Sequence, residues 1–378
     1  MNFNYNDVLK IESPKIENNI VLDETEVIEK YKRGEFRIVT EQARYPLANL
    51  KNIFASYNLS PDYQRRRVWG IRRKSKLIES FIINVPIPPI FLYEYDFSKY
   101  EVMDGLQRVT AILDFFDNKF ALDGLDLWSE LNGKFYSDLP NEIKLAIERR
   151  YLSAIILLKE TASNEQKEKL MKRFVFERLN TGGIELSPQE IRNALYSSDF
   201  NDKLIKMAES EIFRTLWGEL ENDNYSRMED CELVLRFFAY KSACKHNLAK
   251  PTVVILDSYA EKAKNFKEED ICILEDLFYG TLELISNMFG DTAFRSERDS
   301  RRSEKMIYDT VMLSCAELIE EGFSLGFTQV NQDKLISEKF KCIHENRTVF
   351  NGKYTSIRNV KERVDLLKNV LRRQIYEI

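Results

Sequence analysis

The chain has 378 residues, 44% of them hydrophobic and 31% charged, with a formal net charge of −5. That length and apolar content suffice for two or three domains with real cores, whereas the acidic balance excludes indiscriminate nucleic-acid binding and leaves only a local patch for it. No apolar run approaches the roughly 18 residues of a membrane span; the five cysteines (Cys231, Cys244, Cys272, Cys315, Cys342) form no CxxC pair and predict reduced thiols in a cytoplasm, and two histidines, His246 and His344, are too few for a histidine-rich metal centre.

Taken in order, residues 1–34 are polar and charged and read as an arm with one short helix; their polar start predicts no secretory leader. Residues 35–39 read as a strand, and Leu47, Leu50, Ile53 and Phe54 as a short helix. In residues 59–69, Pro61 imposes an extended or turn conformation, and Arg65, Arg66 and Arg67 follow Tyr63 and Gln64. This stretch fits a solvated basic loop as well as an anion-binding rim in which arginine supplies charge and Tyr63 or Trp69 a stacking face. Residues 71–84 carry Leu77, Ile78, Phe81 and Ile82 at amphipathic helical spacing, and the Pro86-Ile87-Pro88-Pro89 step ends that helix. Residues 90–95 and 100–103 read as a hairpin.

Asp104-Gly105 is a turn signal. From Leu106 onward Val109, Ile112, Leu113 and Phe116 recur at helical spacing. A strand feeding a glycine turn feeding a helix gathers backbone N–H groups and the positive end of a helix dipole at one point, which suits a phosphate. Gln107 and Arg108 lie in the first turn, and arginine offers a planar fork of donors matched to phosphate oxygens. Taken alone, these residues fit a buried turn with a solvated arginine equally well.

Further on, residues 138–150 read as a short helix, 151–158 as a buried strand, and 164–179 as a helix. Asn180-Thr181-Gly182-Gly183 breaks that helix, the glycine pair allowing either close backbone approach or a simple C-cap. The next helix opens with a capping box of Ser187, Pro188 and Glu190. Beyond about residue 200 the pattern is helical almost throughout. Two basic clusters, at 295–305 and 353–373, are interspersed with acids and fit a solvated face or a nucleic-acid surface.

Tyr63-Gln64-Arg65, the Pro86–Pro89 step into a strand, Asp104-Gly105-Leu106-Gln107-Arg108, and Asn180-Thr181-Gly182-Gly183 with Leu186-Ser187 and Glu190-Ile191 occur in that order. Together, over roughly residues 35–200, they resemble the DUF262 family, the GmrSD-type restriction-system domain related to ParB and sulfiredoxin. The stretch from Arg227 through Asp230 to Phe237 resembles the helical portion that follows in such proteins. The resemblance implies an α+β N-terminal ParB/sulfiredoxin-like domain with a small mixed sheet at 35–200, after an arm at 1–34 and before an all-α helical domain at 201–378.

That resemblance implies binding, and often hydrolysis, of a nucleoside triphosphate (ATP, GTP or CTP) with Mg²⁺. It makes Asp104, Gln107 and Arg108 the catalytic residues. Arg108 would stabilise developing phosphoryl charge, Gln107 orient water, and Asp104 or Glu101 help to hold Mg²⁺. It assigns Tyr63, Gln64, Arg65, Gly105, Thr110, Asn180 and Gly182 to the nucleotide, and Arg66 and Arg67 to nucleic acid. The family usually has Gln where this chain has Leu106, which bears on base recognition and hydrolysis.

Many relatives carry a C-terminal HNH nuclease domain. This chain lacks the histidines for one and resembles the stand-alone form: a cytoplasmic NTPase of a restriction or anti-phage system that senses DNA or regulates a separate effector such as a nuclease, with a homo-oligomer as a further candidate assembly. Two other readings stand beside it. One is a DNA- or partner-binding module without turnover; the other is a direct ParB-like nuclease, for which no metal-ligand constellation is recognisable.

Overall fold

A computed structural model of the chain describes residues 3–10, 24–32, 38–59, 69–159, 168, 171–175, 178, 187–218, 228–323, 331–351 and 356–376. The chain divides into two compact units, Ile16–Leu186 and Met1–Lys15 with Ser187–Ile378. Among the described residues no helix is long and apolar enough to cross a membrane.

The first unit is built on a four-stranded mixed sheet of β1 (Thr40–Pro46), β2 (Ile90–Asp96), β3 (Lys99–Asp104) and β4 (Tyr151–Leu157), in the order β1-β4-β2-β3. Strand β4 runs antiparallel to β1 and parallel to β2, while β2 and β3 form the expected hairpin. The apolar run of β4 therefore occupies the interior of the sheet, where alternate residues Leu152, Ala154 and Ile156 are buried. Of the strand expected at 35–39, residues 35–37 lie outside the described residues, residues 38 and 39 belong to no strand, and β1 begins at Thr40. Its sequence, TEQARYP, is polar because β1 is an edge strand held mainly by its backbone ladder, so no apolar alternation announces it.

Helix α1 (Glu24–Lys32) precedes the sheet; α2 (Leu50–Phe54), α3 (Ile71–Ile83), α4 (Leu106–Phe116) and α5 (Asn141–Glu148) follow in the chain. Leu77, Ile78 and Phe81 of α3 and Val109, Ile112 and Phe115 of α4 join Ile90, Leu92, Val102 and the inward residues of β4 in one core. Each such side chain contributes about 1.5–3 kcal/mol on burial. That core fixes β3 and α4 rigidly on either side of Gly105.

The second unit is all helical. It comprises α6 (Pro188–Leu195), α7 (Asp199–Glu209), α8 (Glu211–Trp217), α9 (Glu229–Lys245), α10 (Thr252–Ala263), α11 (Glu268–Phe289), α12 (Lys305–Glu320), α13 (Gln332–Glu345) and α14 (Ile357–Tyr376). The capping box opens α6 as the sequence predicts: Ser187 Oγ accepts from Glu190 N–H at 3.2 Å and Glu190 Oε2 accepts from Ser187 N–H at 2.7 Å. Residues 3–10 pack on this unit. Leu9 is buried, and its N–H donates to Ser242 Oγ at 2.8 Å.

Candidate functional site

The turn between β3 and α4 brings Asp104, Gly105, Gln107 and Arg108 together. Gly105 has φ +94°, a left-handed conformation that strains a side-chain-bearing residue. A Cβ built there would stand 2.4 Å from Ile90 Cγ2 and 2.9 Å from Ile90 Cβ, so the backbone passes tightly over β2 at this point. Helix α4 begins at Leu106 with no side-chain cap; the Arg108 and Val109 N–H groups donate to the Gly105 carbonyl at 3.0 Å each, and the Leu106 and Gln107 N–H groups have no capping side chain. The Asp104 side chain beside them is 48% exposed.

Arg108 reaches back across this end of the sheet. Its Nη2 donates to Asp104 Oδ2 at 2.5 Å, and its Nη1 donates to the carbonyls of Pro88 at 2.5 Å and Pro89 at 3.2 Å. Three of its five N–H donors are thus engaged, and its side chain is only 13% exposed. The guanidinium ties the proline step, the end of β3 and the first turn of α4 into one block. The sequence argument missed Pro88 and Pro89 as partners. The signal was present in the proline-rich step, whose carbonyls enter no ladder until β2 starts at Ile90.

Gln107 points to a different neighbour. Its Oε1 accepts the Trp69 N–H at 3.0 Å, and the Arg73 guanidinium lies 4.6 Å from the centre of the Trp69 ring. Gln107 therefore anchors the chain at Trp69, just ahead of α3. Tyr63, Gln64, Arg65, Arg66, Arg67, Asn180 and Gly182 lie outside the described residues. Thr110 is half-buried one turn further along α4. Leu106 is buried against the core of the unit, so the departure from the expected glutamine falls at a packing position.

Glu101 belongs to another cluster. Its carboxylate pairs with Lys172 at 3.2 Å, Lys172 sits 3.7 Å from the centre of the Tyr93 ring, and the Tyr93 hydroxyl donates to Glu168 at 2.5 Å. Burial first, and then the hydrogen bond to Glu168, push the Tyr93 phenol well above its ordinary range. Among the described residues no three or more His, Cys, Asp and Glu side chains are grouped to hold a metal. Asp104 supplies one carboxylate whose Oδ1 takes no part in the Arg108 pair. That fits a hydrated Mg²⁺ brought in with phosphates, the usual habit of this ion.

Residues 49–197 match the family described as GmrSD restriction endonuclease, N-terminal domain. This stretch is similar to a GmrSD N-terminal domain. The match takes in α2 to α6 and β2 to β4, and so contains the whole Asp104–Arg108 turn, the proline step and the Trp69 anchor. No curated protein and no solved structure matches the chain. Among the described residues of the matched stretch, an uncapped helix start, a left-handed glycine and a half-exposed carboxylate coincide at this turn.

Proposed function

We propose that the GmrSD-like domain binds a nucleoside triphosphate at the β3–α4 turn and hydrolyses it with Mg²⁺, as a regulatory or DNA-sensing component of a restriction or anti-phage system. The family match supports the place in such a system. The observation that carries the nucleotide reading is the uncapped start of α4 behind Gly105, beside the exposed edge of Asp104. In this reading the Leu106 and Gln107 N–H groups receive a phosphate, and Gly105 keeps side-chain bulk away from it. The ion neutralises phosphate charge, with Asp104 as its protein ligand. Gln107 holds Trp69, and Tyr63, Gln64, Arg65, Thr110, Asn180 and Gly182 contact the nucleotide. Arg66 and Arg67 face nucleic acid, and a nuclease is the effector served.

Binding without turnover is a second reading with an observation of its own. Arg108 spends three donors on Asp104, Pro88 and Pro89, so it braces the turn and has only two N–H groups left for a transition state. One experiment separates the two. Phosphate release and calorimetric binding are measured for ATP, GTP, CTP and UTP with Mg²⁺, with and without DNA, on the natural chain and on Asp104→Asn. The asparagine retains an acceptor for Arg108 but removes the charge. Release that falls at least ten-fold in a variant melting like the natural chain supports hydrolysis. Saturable binding without release supports the binding module. A folded protein that binds none of the four sinks both.

A further inference from the structure

The helical unit holds a second candidate site. An open cleft of about 1190 Å³ lies among α9, α12, α13, α14 and the 296–304 segment. Its lining includes six lysine and arginine side chains against four carboxylates, a local excess of positive charge in a chain whose net charge is −5. The two basic clusters of the sequence meet here: Arg298 and Lys305 come from the first and Arg363 from the second.

In the cleft Lys305 pairs with Glu229 at 3.3 Å, Arg298 with Asp333 at 3.7 Å, and Arg363 donates to the Val349 carbonyl at 3.3 Å; other basic residues of the two clusters are paired away from it. Arg295 pairs with Asp291 at 3.0 Å, Lys368 with Glu317, and Arg372 with Glu321. Within the cleft the charges are graded by depth. Arg363 is buried, as is Asp309, which forms a two-pronged pair with Arg236. At the mouth Lys341 and Arg347 are exposed. Ser337, Lys341 and His344 repeat at i, i+4 and i+7, so they form one polar stripe of α13 along the cleft wall. The apolar part of the wall comes from Met306, Phe340, Ile343 and Phe350.

We infer that this cleft binds a phosphate-bearing ligand of nucleotide size, its phosphate between the α13 stripe and Arg363 and its base against the Phe340 and Phe350 wall. Cations set partly inside a low-dielectric wall are less screened than surface ones, so they attract an entering anion more strongly. Aromatic and aliphatic faces beside them suit a base, which every nucleotide presents. The site is separate from the β3–α4 turn and does not depend on it.

The test uses the full chain and hydrogen–deuterium exchange with two probes, ATP and a six-nucleotide single-stranded DNA, each with and without the pair Lys341→Glu and Arg347→Glu. Both positions are exposed, so the double variant keeps the core intact. Protection of amides in 334–347 and 357–364 is expected, with affinity for that protection falling at least ten-fold in the double variant. Protection at 105–110 reports the turn separately and should not change between the two proteins. Protection by ATP identifies a free nucleotide as the ligand, and protection by the oligonucleotide alone identifies phosphates within a strand. If neither probe protects the cleft segments, or if the double variant binds as tightly as the natural chain, the inference is overturned.

Discussion

Gly105 shows how much one residue can decide. Its φ of +94° and the 2.4 Å approach to Ile90 Cγ2 leave no room for a methyl group. We expect Gly105→Ala to cost about 2–4 kcal/mol in urea unfolding, from left-handed strain and overpacking together. The cost should couple to Ile90: in the Gly105→Ala background, Ile90→Ala should lose less stability than in the natural chain, because it also relieves the clash. Leu106 gives the opposite lesson about family patterns. Restoring the expected amide with Leu106→Gln would bury a polar group in an apolar core, so we expect a loss of about 1–3 kcal/mol rather than a gain. Equal or higher stability in the same titration would show that the position opens to ligand. Motif spacing made the turn legible in the sequence, but not the use of Arg108. Its three acceptors are Asp104, four residues away, and two carbonyls twenty and nineteen residues away.

At the scale of elements, polar side chains hold segments that periodicity alone leaves loose. Glu79 is buried in α3, and its carboxylate accepts the N–H groups of Asp126, Leu127 and Trp128 at 3.2, 2.7 and 2.9 Å, pinning the loop after α4. Residues 3–10 are fastened likewise. Glu320, near the end of α12, accepts from Tyr5 at 2.7 Å, Asn6 at 2.8 Å and Lys241 at 2.8 Å. Burial pushes the Glu320 carboxyl up, but the Lys241 ammonium, Asn6 and Tyr5 outweigh it and hold the carboxyl below its usual range. A carboxyl lowered on folding adds stability above its unfolded value of about 4.3 and loses it as pH falls through the lower folded value. We therefore expect the stability difference between the natural chain and Glu320→Gln to be largest near neutrality. It should shrink steadily below about pH 4, as followed by urea midpoints. A difference that does not change with pH would mean that the carboxylate charge plays no part in holding the segment.

On the scale of the whole molecule, the chain carries two separate cores. One surrounds Val109, Ile112 and Phe115 beside the sheet, and the other surrounds Phe213, Phe237, Phe278 and Tyr308 among the helices. Scanning calorimetry should resolve two unfolding transitions. Ile112→Ala should lower one by about 2–5 kcal/mol, and Phe278→Ala should lower the other by about 3–5 kcal/mol. Both substitutions moving a single transition would mean that the units unfold as one. The charge of the molecule is organised on the same scale. A chain acidic overall places a net positive lining in one cleft of the helical unit while pairing much of the remaining basic sequence with neighbouring acids.

What the amino-acid order determines by itself is whatever depends on near neighbours. Helical spacing locates α3 and α4, the capping box starts α6, the apolar run marks β4 as an interior strand, and Asp104-Gly105 marks the turn into α4. These signals are local because backbone geometry and side-chain periodicity act over a few residues. Strand β1 escaped because an edge strand needs only a partner's backbone, and that partner, β4, lies more than a hundred residues away. Tertiary structure alone decided which charges are spent and which converge. Arg108 and Arg363 look alike in the sequence, yet one braces the end of a sheet through Asp104, Pro88 and Pro89 and the other is buried at a cleft wall, donating to the Val349 carbonyl. Packing distributes hydrogen-bond acceptors in space, and spacing along the chain carries no record of where they fall.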